Sequence, residues 1–148
     1  YWRDWSSDVC SSDLDECAAR ILPIAEIVYG ELLPGCPRIL TYAGKWEPDS
    51  QEYQASVSVE ATGLSPALRA QLERIALAAW QSLGLRSYGR VDLRVDADDR
   101  PYVIDVNPNP DLSRDAGLAL AAGRAGIGFE RLVAGLCAGA LYRHGQGR

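Results

Sequence analysis

The chain has few of the residues that build zinc sites and disulfide frameworks. Its four cysteines form no CxxC pair, and its single histidine, His144, lies in a polar tail. Zinc sites need clustered Cys and His, and disulfide frameworks need paired cysteines in an oxidising compartment. We therefore expect reduced cysteines and a cytoplasmic location.

The chain also lacks a basic cluster and a long apolar run. Its 15 Lys and Arg residues are scattered and the net charge is −5, whereas nucleic-acid binding favours clustered basic residues. No apolar stretch reaches the ~20 residues that span a bilayer, and no apolar segment of the signal-peptide type follows the first residues. We predict one globular domain with neither a nucleic-acid nor a membrane partner.

Residues 1–17 differ from the rest of the chain. They contain a near-repeat, Ser6-Ser7-Asp8-Val9 and Ser11-Ser12-Asp13-Leu14, and show no helical or strand periodicity. The segment is similar to translated sequencing-adapter read-through, and the alternative is a natural disordered leader. Both interpretations place the domain at residues 18–148 and assign the first 17 residues no function.

The remaining pattern mixes strands and helices. The clearest helix begins at Ser65, a good N-cap followed by Pro66, and carries an apolar stripe as far as Leu83, with Gly84 at its end. Further helices are predicted at 115–125 and 129–143, and strands at 21–29, 38–42, 53–60, 88–97 and 100–107. We predict an α+β fold, an antiparallel sheet with helices packed on one side.

The last two strands form a hairpin that places two acids face to face. Arg90 and Asp92 share one face of the first strand, and Asp105 and Asn107 share one face of the second. A turn at 98–99, or a four-residue loop at 97–100, sets Asp92 opposite Asp105 and Arg90 opposite Asn107. Opposed like charges are destabilising, so the pair must share a proton, face water or bind a cation.

The residue types around the paired acids favour a cation. Oxygen donors without Cys or His suit Mg²⁺ or Mn²⁺, and Arg90 offers a fork for phosphate oxygens. The set is typical of a metal–polyphosphate site. The alternative is a solvated polar face on which Arg90 and Arg94 neutralise the acids.

The string around these residues resembles a known signature. Gly89-Arg90-Val91-Asp92, followed by Pro101-Tyr102-Val103-Ile104-Asp105-Val106-Asn107-Pro108, is similar to the terminal signature of ATP-grasp enzymes of the D-alanine–D-alanine ligase type. The segments 21–27, 42–46 and 125–129 fall in the family's order, so the resemblance extends over about residues 20–143. It implies the C-terminal ATP-grasp subdomain.

The resemblance also implies roles for individual residues. Asp92 would bind one magnesium ion, Asp105 would bridge two, and Asn107 would bind the second, while Arg90 and Lys45 would hold the transferring phosphoryl group. The implied reaction uses ATP and two Mg²⁺ or Mn²⁺ ions to convert a carboxylate into an acyl phosphate, which an amine then converts to an amide. Small amino acids or peptides are the implied substrates, and a homodimer is one option for the full-length parent.

Three departures from the family pattern bear on substrate and site. Asp105 replaces the usual glutamate and is one methylene shorter. The implied substrate loop contains Asp111, Leu112 and Ser113, and Asp111 occupies a position where the family has glycine. Its charge there would repel the carboxylate of a D-alanine acceptor. The alternative role of Asp111 is an Asx-type turn. The aspartate that the family has after Tyr42 is missing. The alternative interpretation of Lys45 is therefore an exposed loop lysine with no role in the site.

The resemblance covers only the second of the two subdomains that enclose ATP in this superfamily. We therefore expect a fragment of a parent ligase that is inactive alone. Three other interpretations remain. They are an ATP-grasp peptide ligase with a substrate other than D-alanine, a non-catalytic divalent-cation or interaction module, and a metal-dependent phosphohydrolase.

Overall fold

The computed structural model describes residues 3–10, 19–31 and 38–146. The strands in this part of the chain are β1 Arg3–Cys10, β2 Arg20–Ile21, β3 Ala25–Tyr29, β4 Ser56–Glu60, β5 Tyr88–Val95 and β6 Pro101–Asn107. The helices are α1 Tyr42–Trp46, α2 Gln51–Ala55, α3 Pro66–Ser82, α4 Gly117–Arg124 and α5 Phe129–Gln146. The predicted α+β class is confirmed.

The strands form one antiparallel sheet. Its order is β4-β3-β1-β5-β6, and β2 pairs with the end of β1. The strand predicted at 21–29 is interrupted between β2 and β3, where Pro23 has no backbone N–H to donate to the ladder. The sequence-distant strands β1 and β5 pair along their whole length, from Arg3 with Val95 to Cys10 with Tyr88.

The expectation of a disordered leader is wrong for residues 3–10, which form the central strand β1. β1 pairs with β3 on one side and β5 on the other, and the Trp5 side chain is only 1% exposed. Without β1 the facing edges of β3 and β5 would present unpaired N–H and C=O groups. Hydrogen bonding to both neighbours therefore stabilises β1 although its own residues have weak strand propensity. The foreign origin of the segment stays a prediction, and residues 1, 2 and 11–17 lie outside the described residues.

The helix α3 covers one face of the sheet. The Ser65 hydroxyl accepts a hydrogen bond from the Leu68 N–H at 3.2 Å, and Gly84 follows the helix with a positive φ of 63°, as expected of a cap and a stop signal. The apolar stripe of α3 packs against alternate residues of β1 and β5. The buried residues of this cluster are Trp5, Ile24, Ala61, Leu68, Leu72, Ala76, Val91, Leu93 and Val95.

The helices α4 and α5 pack against each other, and α4 also contacts β1. A second cluster joins Leu22 to the buried side of these helices, through Leu118, Ala121, Ala122 and Leu132. Gly117, the first residue of α4, lies beside Asp8: a Cβ on it would be 3.8 Å from the carboxylate Oδ2. Asp8 and Trp5 point to opposite faces of β1 because side chains alternate along a strand. The first residue of α4 therefore lies at the face of β1 opposite to the one that α3 covers.

The segment from residue 38 to residue 60 differs from the prediction. The strand predicted at 38–42 is not formed, because α1 occupies residues 42–46. Residues 51–55 form α2, so that β4 begins at Ser56 rather than at residue 53. Both short helices are capped by hydroxyls, since Thr41 accepts from the Gly44 N–H at 3.0 Å and Ser50 from the Tyr53 N–H at 3.1 Å. Five-residue helices have too few turns to show an apolar period.

Within the described residues, no single helix is long and apolar enough to cross a membrane. The helix α4 and the segment Phe129–Tyr142 meet the length and composition requirement only as a pair, and this pair is bent by 107°.

Candidate active site

The hairpin of β5 and β6 brings the two predicted acids together. Asp92 pairs with Asp105, and Arg90 pairs with Asn107, so the predicted register is confirmed at these positions. Directly opposed residues project to the same face with their Cβ atoms ~5 Å apart. The two carboxylates, the amide and the guanidinium therefore share one face of the sheet.

This register arises from a less regular hairpin than the sequence suggested. Asp96 donates its N–H to the Arg100 carbonyl at 3.1 Å, so the loop has three residues, 97–99, and Asp99 takes a positive φ of 58°. Leu93 pairs with Val103 while Asp92 pairs with Asp105, which leaves Ile104 as an extra residue in β6. A regular strand would place Val103 on the face of Asp105, but this bulge places it on the face of Leu93.

Gly89 explains why the two strands can approach beside the site. A Cβ at this position would lie 3.1 Å from Leu85 Cδ1, 3.3 Å from the Asn107 carbonyl oxygen and 3.4 Å from Trp80 Cδ1. A side chain would push against the backbone of β6 at Asn107. The glycine of the signature therefore has a packing role next to Arg90.

Arg90 and Asp92 form a bidentate ion pair. Arg90 Nε lies 2.8 Å from Asp92 Oδ1, and Arg90 Nη2 lies 2.9 Å from Oδ2. Burial lowers the pKa of Arg90, but the hydrogen bond and charge of Asp92, with the charges of Asp8 and Asp105, outweigh burial and raise it overall. Arg90 is therefore a fixed cation within a group of carboxylates.

Asp8 is a third carboxylate at this face that the sequence did not reveal. It lies opposite Arg90 in the β1–β5 ladder and is 2% exposed. Its pKa is raised to about 6, chiefly by burial; the charge of Arg90 opposes this rise, that of Asp92 adds to it, and that of Arg124 opposes it. Its Oδ1 has no hydrogen-bond partner among the described residues. No sequence signal identifies it, because its position depends on a long-range pairing of β1.

The end of β6 orients the predicted amide ligand. Asn107 Oδ1 accepts a hydrogen bond from the Asn109 N–H at 2.9 Å, and the Tyr88 hydroxyl donates to Asn109 Oδ1 at 2.8 Å. An amide oxygen has two lone pairs, so Asn107 Oδ1 keeps one for a further ligand. The turn after β6 thus fixes the direction of the oxygen that stands beside Asp105.

The predicted substrate loop is organised by its own aspartate. Asp111 Oδ1 accepts from the Ser113 N–H at 2.8 Å and from the Ser113 hydroxyl at 2.7 Å, the geometry of the alternative Asx turn. The Ser113 hydroxyl and then its N–H hold the pKa of Asp111 below its usual range. Leu112 packs on the second core cluster. Arg114 pairs with Glu130 at 2.8 Å rather than with Asp111.

Lys45 is separate from the hairpin group. It lies in the last turn of α1 rather than in a loop, and its side chain is exposed. Within the described residues no hydrogen bond or ion pair joins Lys45 to Arg90 or Asp92. Its predicted contact with a phosphoryl group stays a prediction.

The donor chemistry of the hairpin fits a hard divalent cation. Two opposed carboxylates and one amide oxygen are ligands that Mg²⁺ and Mn²⁺ accept, and Asp105 is exposed to solvent, which leaves room for the waters that Mg²⁺ retains. The described parts of the chain contain no group of three His, Cys, Asp or Glu side chains placed to hold a metal. A cation here would therefore depend on the Asn107 oxygen and on oxygens from outside the protein.

Comparison with known proteins identifies the family of the chain. Residues 8–138 match the family model described as D-ala D-ala ligase C-terminus. The D-alanine–D-alanine ligase of Dichelobacter nodosus is 33% identical over 121 residues, covering 82% of this chain and 36% of that protein. That of Nitrosococcus oceani is 38% identical over 127 residues, covering 85% of this chain and 36% of that protein. The chain thus spans about a third of the length of these curated relatives.

Solved structures show the same fold. A D-alanine–D-alanine ligase from Bacillus anthracis, complexed with ATP, superimposes with a TM-score of 0.72 at 20% identity, covering 99% of this chain and 40% of that one. The ligase from Coxiella burnetii gives a TM-score of 0.72 at 17% identity, covering 97% and 33%. With a family match over most of its residues, the chain belongs to the D-alanine–D-alanine ligase family and carries that family's C-terminal domain.

Proposed function

We propose that this chain supplies the metal–phosphate half of the active site of an ATP-dependent carboxylate–amine ligase. The parent enzyme would phosphorylate a carboxylate with ATP and let an amine displace phosphate from the acyl phosphate. The observation that carries the proposal is the placement of Asp92 opposite Asp105 and of Arg90 opposite Asn107 on one sheet face. Cationic and metal-binding groups are what a phosphoryl transfer requires, because charge spreads over the transferred oxygens.

Four residues of the hairpin, and Lys45 on α1, each have a proposed task. Asp92, Asp105 and Asn107 would hold the cations, and Arg90 and Lys45 would contact the transferring phosphoryl group. Bound Mg²⁺ or Mn²⁺ would neutralise phosphate charge and orient its oxygens. The Asx turn at Asn107 and the packing of Gly89 hold the ligands on rigid strands, which favours catalysis by positioning.

A ligase whose amine substrate is not D-alanine is favoured by one observation. The exposed carboxylate of Asp111 occupies the N–H and hydroxyl of Ser113. A substrate carboxylate would be repelled by the charge of Asp111, and it would find the Ser113 N–H and hydroxyl already hydrogen-bonded. We propose small amino-acid or peptide substrates, with discrimination against an acceptor carboxylate at this loop. The exposed free thiol of Cys137 agrees with a reducing, cytoplasmic location.

The proposal is tested by calorimetric titration of the 148-residue chain with Mn²⁺, with and without ATP. The wild type should bind Mn²⁺ more tightly when ATP is present, and Asp105→Asn should lose most of this binding, about tenfold or more in affinity. Asp115→Asn, which removes an exposed acid outside the hairpin, is the matched control. Circular dichroism should first show that every variant is folded.

The opposite result would be equally clear. If folded Asp105→Asn and wild type bind Mn²⁺ and ATP equally, the paired acids are a solvated face. The assignment of the hairpin as a phosphate–metal site is then wrong.

A further inference from the structure

We propose that the Arg90–Asp92 ion pair must open before either ligand can bind fully, so that the site takes a divalent cation and a polyphosphate together. This inference rests on the proposed function and concerns how that site is regulated. The ligand class is a cation-bound polyphosphate, such as a nucleoside triphosphate or inorganic tripolyphosphate. Neither component alone provides replacement partners for both members of the pair.

The geometry of the pair is the first step of the argument. Two guanidinium N–H groups of Arg90 meet the two carboxylate oxygens of Asp92, at 2.8 and 2.9 Å. A phosphate held by Nε and Nη2 together would use the same fork of Arg90, and a cation held by both oxygens of Asp92 would use the same carboxylate. The ion pair therefore competes with each ligand for its full two-pronged contact.

Asp105 provides the contrast within the same site. It stands opposite Asp92 and is exposed, and in the described residues it makes no side-chain hydrogen bond or ion pair. A cation can therefore reach Asp105 without breaking any contact. Its coordination by both oxygens of Asp92 competes with Arg90, and displacement of Arg90 releases the guanidinium for a phosphate oxygen.

The exchange makes the binding of the two ligands cooperative. A cation that takes Asp92 frees Arg90, and a phosphate that takes Arg90 frees Asp92, so each ligand removes an obstacle to the other. By linkage, the factor by which the cation raises phosphate affinity equals the factor by which phosphate raises cation affinity. A partly exposed bidentate pair is strong enough to contribute about threefold to tenfold.

Two isosteric variants separate this exchange from simple charge effects. Asp92→Asn and Asp105→Asn each remove one negative charge from the same face, but only Asp92→Asn releases Arg90. In calorimetry with inorganic tripolyphosphate and a metal chelator, we expect Asp92→Asn to bind about threefold to tenfold more tightly than Asp105→Asn. Equal affinities of the two variants would overturn the proposal.

A third variant tests the metal side. Arg90→Lys keeps the positive charge but loses the two-pronged contact. It should bind Mn²⁺ alone about threefold more tightly than wild type, and tripolyphosphate should enhance its Mn²⁺ binding less. If Arg90 acts only as a nearby charge, Arg90→Lys will match the wild type in both titrations, which contradicts the exchange.

The same titrations tell this failure apart from that of the proposed function. If wild type binds Mn²⁺ with tripolyphosphate and Asp105→Asn does not, the site exists. The comparison of tripolyphosphate affinity between Asp92→Asn and Asp105→Asn then tests the ion-pair exchange by itself. When folded wild type shows no binding beyond that of Asp105→Asn, the proposed site is absent and both proposals are overturned.

Discussion

Asp92 on β5 lies directly opposite Asp105 on β6 because two one-residue irregularities of the hairpin cancel. The loop at 97–99 contains one residue more than a two-residue turn, and the bulge at Ile104 adds one residue to β6. Together they bring two carboxylates to one face at a spacing where like charges repel. Arg90 neutralises one of these charges, and a cation bound between the acids would reduce the repulsion further.

Removal of this repulsion should stabilise the metal-free fold. We expect Asp105→Asn to raise the free energy of unfolding by about 0.5 kcal/mol, because an amide opposite Asp92 removes one of two like charges. Urea denaturation followed by circular dichroism measures the change, with Asp115→Asn as the exposed control. A less stable Asp105→Asn would show that attraction between Asp105 and Arg90 outweighs the repulsion.

The structural role of β1 can be tested at its buried tryptophan. Trp5 is 1% exposed, while Trp46 on α1 is 67% exposed, so the two residues form a matched pair. We expect Trp5→Ala to lower the free energy of unfolding by about 3–5 kcal/mol, and Trp46→Ala by about 0.5 kcal/mol or less. Urea denaturation of both variants is the measurement. Equal effects would mean that residues 3–10 do not form the centre of the sheet.

The elements that the sequence predicted well are those with local signals. The helix α3 has a capping serine, a proline at its start, an apolar stripe and a glycine at its end, and its structure follows these signals. The strand β1 has no such pattern, because its place depends on pairing with β3 and β5, which are distant in sequence. The helices α1 and α2 depend on the Thr41 and Ser50 caps and are too short for periodicity.

The site shows a similar division. The pairing of Asp92 with Asp105 was predicted from a regular hairpin. In the structure the loop shifts the register by one residue, and the bulge in β6 shifts it back by one, so the pairing is the same. The ion pair of Arg90 with Asp92 lies within one strand and follows from alternation. Asp8, by contrast, enters the site only through the β1–β5 ladder, which no local pattern indicates.

The close approach of β5 and β6 makes Gly89 a sensitive position. A methyl group there would meet Leu85, Trp80 and the Asn107 carbonyl at 3.1–3.4 Å. We expect Gly89→Ala to lower the free energy of unfolding by about 1–2 kcal/mol through overpacking. Gly63→Ala, where a Cβ would meet nothing within 4 Å, is the control in the same urea titrations. Equal stability of the two variants would show that the strands can separate without loss.

The buried carboxyl of Asp8 should make the stability of the fold depend on pH. Its pKa is about 6 in the folded chain, against an ordinary value of 3.8, because burial disfavours the charge. Asp92 on β5 adds to this effect, whereas Arg90 on β5 and Arg124 on α4 oppose it. Between these two values the folded state binds more protons than the unfolded state. The Asp8 carboxyl therefore costs the fold no stability below about pH 3.8, and its cost grows as the pH rises to 6.

Asp8→Asn should remove this dependence. Relative to wild type, the variant should gain stability progressively from pH 4 to pH 6, by an amount on the order of 3 kcal/mol, and keep that gain at pH 7.5. Urea denaturation at four pH values between 4 and 7.5 measures the difference, with the exposed Asp98→Asn as the control. A difference between Asp8→Asn and wild type that stays constant with pH would show that Asp8 titrates alike in the folded and unfolded chains. Its carboxyl would then not be buried beside Arg90.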